Sequence, residues 1–208
     1  MKLFTLLQIV RNKLHTKRLS QRKGITIGRS SSVYYKSNLK CTSNSLNNGG
    51  GIFIGNNCKI GRTGDGYHGG MPFPTALLSD GIGSRIAIGD NCRINGAYIH
   101  AKKSITIGCN CVIAAGVNII DSNGHQVNSK NRTVGTDTPK EIVIGNNVWI
   151  CMNVTILKGS VIGDNSIIAA GSVIQGSIPP NTIASSHESI ILKEIKVSEG
   201  SNVKPSTL

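Results

Sequence analysis

Aliphatic residues recur at every sixth position through Ile144, Ile150, Ile156, Ile162, Ile168 and Ile174, a spacing that few folds accept. Six is neither the helix period of 3.6 nor a simple strand alternation, so each hexad must combine an extended stretch with a corner. Variants of one unit precede this run: Ile25-Thr26-Ile27-Gly28, Ile52-Phe53-Ile54-Gly55, Ile86-Ala87-Ile88-Gly89, Ile105-Thr106-Ile107-Gly108 and Ile142-Val143-Ile144-Gly145. Gly55-Asn56-Asn57, Gly89-Asp90-Asn91, Gly145-Asn146-Asn147 and Gly163-Asp164-Asn165 supply corners, because these residue types tolerate positive φ. Three hexads close one triangular coil, with sides roughly 20 Å long at about 3.3 Å per extended residue.

Stacked coils pair as parallel sheets and place their aliphatic side chains in ladders along the axis. A single coil cannot bury its apolar side, so several must stack and both ends must be capped. The repeat runs from Ile25 to Ile178 and is interrupted in two polar, glycine-rich segments, 62–84 and 120–141. Such insertions leave a solenoid as loops, where function tends to sit. The expected organisation is a basic amphipathic helix over 1–23, an all-β parallel β-helix over 24–183, and a cap and tail over 184–208.

Composition agrees with this plan. The chain has 208 residues, enough for one domain, and with 25 Gly and only 4% aromatic residues its core must rely on small aliphatic side chains and tight turns. The net charge is +13, and no Asp or Glu precedes Asp65. That field attracts anions. The few aromatics do not interleave with a basic stripe, which argues against nucleic acid. A phosphorylated cofactor, an anionic glycan and an anionic membrane surface all fit.

Of the six cysteines several fall where other small residues stand in the repeat, and Cys109-x-Cys111 reads as repeat filling rather than a metal or redox site. None forms the paired C-x-x-C pattern of a zinc site, so no metal is expected. Buried thiols suit a reducing cytoplasm. In 1–23, Leu3, Phe4, Leu6, Leu7, Ile9, Val10 and Leu14 lie among Lys2, Arg11, Lys13, Lys17, Arg18, Arg22 and Lys23. This run is too short to span a bilayer and carries no cleavage signal. Two readings stand: a cap over one open end of the core, or contact with an anionic membrane surface.

The hexad ladder resembles that of the bacterial hexapeptide-repeat transferases, and the stretch from Ile86 to Pro180 is similar to their galactoside and maltose O-acetyltransferase branch. The motifs carrying this likeness are Asp121-Ser122-Asn123-Gly124-His125, Arg132 downstream of it, Asn95 upstream, and Val148-Trp149-Ile150. The resemblance implies a left-handed β-helix, a homotrimer with sites in the clefts between subunits, and acetyl-CoA as donor.

The resemblance also implies residue roles. His125 is the general base, Asn95 meets the acceptor or the oxyanion, Trp149 walls the acetyl and acceptor pocket, and Arg132 and Asp121 serve acceptor binding. Asp121 is equally well read as a turn residue. The cofactor strip is expected along Trp149, Cys151, Ala169, Ala170, Gly171 and Ser172, with Lys158 near its phosphates. Cys151 stands where relatives carry Gly, and Ala184-Ser185-Ser186-His187-Glu188 replaces their A-G-x-P-A.

Acyl transfer to a hydroxyl requires proton removal, alignment and oxyanion stabilisation, and histidine suits the first. The expected activity is O-acetylation of a sugar, in a cell-surface polysaccharide or its precursor, with direct attack and no acyl-enzyme. Three alternatives stand beside it: N-acetylation of an amino sugar or nucleotide sugar, a zinc hydratase on the same coil, and a non-catalytic β-helix binding module.

Overall fold

The computed structural model describes residues 3–61, 73–126, 133, 135–187 and 189–194. After helix α1 (Leu3–Ser20), the chain winds as a left-handed parallel β-helix whose turns contribute one short strand to each of three sheets. Among the described residues the first sheet runs from Ile25–Ile27 to Ser177–Ile178, the second from Ser32–Val33 to Thr182–His187, and the third from Asn38–Cys41 to Val173–Ile174. The hexad ladder maps directly onto them. Ile144, Ile150 and Ile156 occupy the first, second and third sheets of one coil, and Ile162, Ile168 and Ile174 those of the next.

Register stacks these positions without a slip. In the second sheet Val33, Ile60, Ile94, Ile113, Ile150, Ile168 and Ala184 are successive partners, and in the third Leu39, Leu77, Ile99, Ile119, Ile156 and Ile174 are. All of these are buried and form one continuous cluster. β-Branched isoleucine suits this interior because its stiff side chain stands off a pleated backbone and meets its copies in the coils above and below.

The corner between the first and second sheets shows why the repeat favours asparagine. Asn57, Asn91, Asn110, Asn147, Asn165 and Asn181 all adopt φ of 54–60°, a conformation most L-residues resist. Each donates its backbone N–H to a carbonyl of the preceding coil. Their side chains also link up: Asn57 donates to Asn91, Asn91 to Asn110, Asn147 to Asn165 and Asn165 to Asn181, at 3.0–3.3 Å.

Beside this ladder Cys58, Cys92 and Cys111 are fully buried, and each donates its thiol to a glycine carbonyl of the next coil, at 3.1 Å. The Cys111 side chain and burial push Cys92 up to about 12, so this thiol is chemically quiet. Cys109 takes the place of an Asn or Asp oxygen, its Sγ accepting the Asp90 N–H.

The first interruption is shorter than the 62–84 expected. Ala76–Ser79 pairs with Asn38–Cys41 and Tyr98–Ala101 as an ordinary rung of the third sheet. Alternation of buried Leu77 and Ser79 with outward Ala76 and Leu78 explains why a strand forms there. Residues 62–72 lie outside the described residues. At the C-terminal end, Thr182–His187 turns back antiparallel onto Ser189–Glu194.

Truncating a central rung leaves a void that the stacked coils cannot close. Ile150→Ala is expected to cost about 2–5 kcal/mol, measured by chemical denaturation, whereas Val143→Ala on the outer face of the first sheet should change stability little.

Candidate active site

The second interruption leaves the third sheet after Ile120 and is fastened at its root. Asp121 is fully buried. Its carboxylate accepts the N–H groups of Lys102, Lys103 and Ser104 at 2.8, 2.7 and 2.9 Å, tying the loop to the turn of the coil below. Burial pushes its carboxyl up, and the three amides oppose that shift. The Asp121 carbonyl accepts the Lys140 N–H at 2.9 Å, so the two limbs of the loop meet there. Asp121 is thus a turn anchor, and both of its carboxylate oxygens are taken. This corrects its expected role in acceptor binding.

A second fastening sits just above. Asp137, on the returning limb, accepts the Ser122 hydroxyl at 2.5 Å, the Asn123 N–H at 2.7 Å and the Lys158 ammonium at 2.6 Å. Its side chain is only 4% exposed. Burial works to raise its carboxyl, but Lys158, Ser122 and the Asn123 amide together hold it well below the usual carboxylate range. Lys158 also donates to the Thr138 carbonyl. Expected near cofactor phosphates, Lys158 is instead committed to this ion pair, because its corner belongs to the coil above the loop, beside the returning limb.

Gly124 follows with φ of +79° and open space where a side chain would stand, so glycine is required by conformation alone. His125 comes next and is exposed to solvent. Arg132 lies outside the described residues. Near the root, the His100 carbonyl accepts the Asp121 N–H, and His100 Nε2 meets Asp80 Oδ1 at 2.8 Å.

The other predicted residues gather elsewhere, at the corner between the second and third sheets. Asn95, Ala114, Cys151 and Ala169 occupy equivalent positions on successive coils: each donates its N–H to the carbonyl of the interior rung residue of the coil above, Ile113, Ile150, Ile168 and Ala184, at 2.9–3.0 Å. Asn95 is buried, whereas Cys151 and Ala169 are partly open and Ala170 and Gly171 exposed. Burial pushes the Cys151 thiol up.

Trp149 is 50% exposed on the outer face of the second sheet. It stands between Val112 and Ile167, with Ile183 beyond, so an apolar strip runs along the axis beside the small-residue corner. That strip can accept an extended, partly apolar chain. Ser172 does not join it. Its side chain is buried and its hydroxyl accepts the Ser186 N–H, which corrects its expected contact with the cofactor.

The structure therefore brings Asn95, Trp149, Cys151, Ala169, Ala170 and Gly171 to one edge. The loop carrying His125 is rooted a full side of the triangle away, roughly 15–20 Å at about 3.3 Å per extended residue. Ser122 and Asp137 were missed by sequence reasoning. The available signal was that Asp137 is the only acid between Asp121 and Glu141, in a chain otherwise rich in cations.

With this geometry established, the comparisons with known proteins are informative. Residues 141–176 match the family model for the bacterial transferase hexapeptide, six repeats, and residues 85–120 match the hexapeptide repeat of succinyl-transferase. The chain is 41% identical over 114 residues to the galactoside O-acetyltransferase of Escherichia coli strain K12. That match takes in 54% of this chain and 56% of the relative, so the chain spans little more than half of that enzyme's length.

Among solved structures, the polysialic acid O-acetyltransferase OatWY superposes with a TM-score of 0.66 at 23% identity, over 88% of this chain and 79% of its own. AntD, an N-acyltransferase of Bacillus cereus crystallised with dTDP and 3-hydroxybutyryl-CoA, superposes with a TM-score of 0.64 at 14% identity, over 88% of both chains. At these identities the two structures speak for the fold.

The tether has a pH signature. A carboxyl held low in the folded state stabilises it fully above the unfolded value of about 4, and that contribution is lost as pH falls through the folded value. The stability difference between wild type and Asp137→Asn should therefore stay constant from neutral pH down to about 4 and shrink below it, as read by denaturant titration. The same substitution should raise protease cleavage between Ser122 and Asp137 by about tenfold at neutral pH, since the lost carboxylate leaves the Lys158 charge unpaired.

Proposed function

We propose that the chain belongs to the bacterial hexapeptide-repeat transferases, as the matches over residues 85–120 and 141–176 support, and that it transfers acetyl from acetyl-CoA to a hydroxyl of a sugar, in a cell-surface polysaccharide or its precursor. The observation that carries this reading is the doubly fastened loop, which interrupts an otherwise regular coil to hold Gly124-His125 at the surface. A coil serving only as a scaffold has no need of a buried ion pair that braces one exposed histidine.

Acetyl-CoA supplies an acyl group already activated as a thioester. His125 takes the proton of the acceptor hydroxyl while its oxygen attacks the carbonyl carbon; the tetrahedral adduct collapses with loss of the sulfur, which receives the proton from His125. Asn95 directs an amide toward the acceptor or the developing oxyanion. Trp149 forms the pocket wall, and Cys151, Ala169, Ala170 and Gly171 form the floor along which the pantetheine arm lies. A thiol pushed up by burial stays protonated near neutrality, so Cys151 supports direct attack rather than an acyl-enzyme. Arg132, seven residues after His125 in the sequence, serves the acceptor.

The separation between the loop root and the Trp149 strip supports a homotrimer in which one copy presents His125 beside the strip of its neighbour. Among the described residues no helix is long and apolar enough to cross a membrane. We place the protein in the cytoplasm, at the inner face of the membrane, where polysaccharide precursors are accessible. The coil also serves N-acyl transfer in AntD, but the 41% identity to a galactoside O-acetyltransferase favours a hydroxyl acceptor.

Purified protein given acetyl-CoA and paired hydroxyl and amino sugars should release free thiol and yield an O-acetylated product by mass spectrometry. Strict use of the amines would move the assignment to N-acetylation. His125→Ala should lower turnover by about a hundredfold or more while leaving CoA binding intact, and near-normal turnover in that variant would remove the mechanism.

A further inference from the structure

Helix α1 sits on the N-terminal end of the coil in an unexpected orientation. Its contacts with the coil come from polar side chains. Asn12 Oδ1 accepts the Tyr35 N–H at 3.0 Å, Thr16 Oγ1 accepts the Val33 N–H at 2.9 Å, and His15 Nε2 meets the Ser37 carbonyl at 3.1 Å. Among the helix residues whose side chains are described, only Leu19, at the end of the same stripe, is a buried aliphatic. The reason is plain: the first strand of the second sheet exposes unpaired amides, and the helix offers oxygens to cover them.

The opposite face is consequently apolar and bare. Leu6, Val10 and Leu14 follow one another at helical spacing, with Leu7 beside them, and are 45–52% exposed. Ile9 is exposed at one margin. Cations line both sides of the stripe, Lys13 and Lys17 on one and Arg11 and Arg18 on the other, and all four are exposed. Along the second margin lies a cleft of about 270 Å³ lined by Arg11, Leu14, His15, Arg18 and Tyr35. The Arg11 guanidinium and the Lys36 ammonium lie 5.6 and 5.7 Å from the centre of the Tyr35 ring.

We propose that this outer face of α1 is a docking surface for a bilayer containing anionic phospholipid, with Leu6, Val10 and Leu14 entering the acyl boundary and the cleft at Arg11 and Arg18 receiving a lipid phosphate. An aliphatic stripe between two cationic margins is the pattern of an interfacial helix: its long basic side chains reach the headgroups while the stripe is buried. A second copy of the chain is the poorer occupant. α1 carries no acidic residue, and none occurs before Asp65, so two such faces would bring like charges together. The inference gives a surface to the membrane-face setting proposed above, but it does not depend on the acetyl-transfer chemistry.

The full chain should float with phosphatidylcholine vesicles that include phosphatidylglycerol and remain behind with phosphatidylcholine alone, and added salt should weaken the association. Leu6→Gln/Val10→Gln/Leu14→Gln should lower the bound fraction by about tenfold, and Arg11→Gln/Lys13→Gln/Lys17→Gln/Arg18→Gln should lower it and remove its salt dependence. Both variants should keep the wild-type thermal midpoint and acetyl-transfer rate on a soluble acceptor. Wild-type protein that ignores anionic vesicles, or variants that float as the wild type does, would overturn the proposal. So would sedimentation showing that the Leu6, Val10 and Leu14 changes only reduce the size of the assembly.

Discussion

Coil-on-coil backbone pairing is the constraint on which this molecule depends. Because every strand of the coil is parallel to its neighbours and in register with them, the C-terminal hairpin of Thr182–His187 and Ser189–Glu194 excepted, a residue type chosen once must be chosen again at the same position of the next coil. That rule produces the isoleucine rungs of the interior, the asparagine ladder on one corner and the stacked Cys58, Cys92 and Cys111 thiols beside it. The interior is narrow, so bulk is admitted only on the outer faces, and the single tryptophan stands there.

The same pairing leaves two problems that the sequence must solve locally. At the N-terminal end, the amides of the first strands need partners, and Asn12 and Thr16 of the helix provide them. Where the coil is interrupted, the emerging limb would pull away from the stack unless tied down. Asp121 binds it to the coil below and Asp137 binds it to Lys158 of the coil above. Both carboxylates are buried and both are satisfied by several donors, which makes burying them tolerable.

How much of this was legible depends on whether the information repeats. The hexad period stated the architecture, the sheet assignment of Ile144 through Ile174 and the corner role of asparagine, because each appears many times in the chain. The fastenings of the loop do not repeat and were not legible. Lys158 read as a cation open to cofactor phosphates because its partner Asp137 stands on the far limb of the loop, with nothing local to connect the two. Ser172 read as a small residue open to a ligand, and only the last strand of the second sheet, at Ser186, shows that its hydroxyl is occupied. The helix was recognisable as amphipathic, but periodicity cannot say which face turns inward. The unpaired amides of Val33 and Tyr35 decided that.

The two fastenings divide the labour within the interruption. With Asp121 joined to Lys140 and Ser122 joined to Asp137, the coil registers only that both ends of the insertion are secured and is indifferent to what lies between Gln126 and Gly135. A change of length there has no direct route to the rungs below, and the joints at Ser122 and Asn123 still hold the chain that leads into Gly124 and His125. Two such joints let an interruption vary while the coil that bears it stays in register.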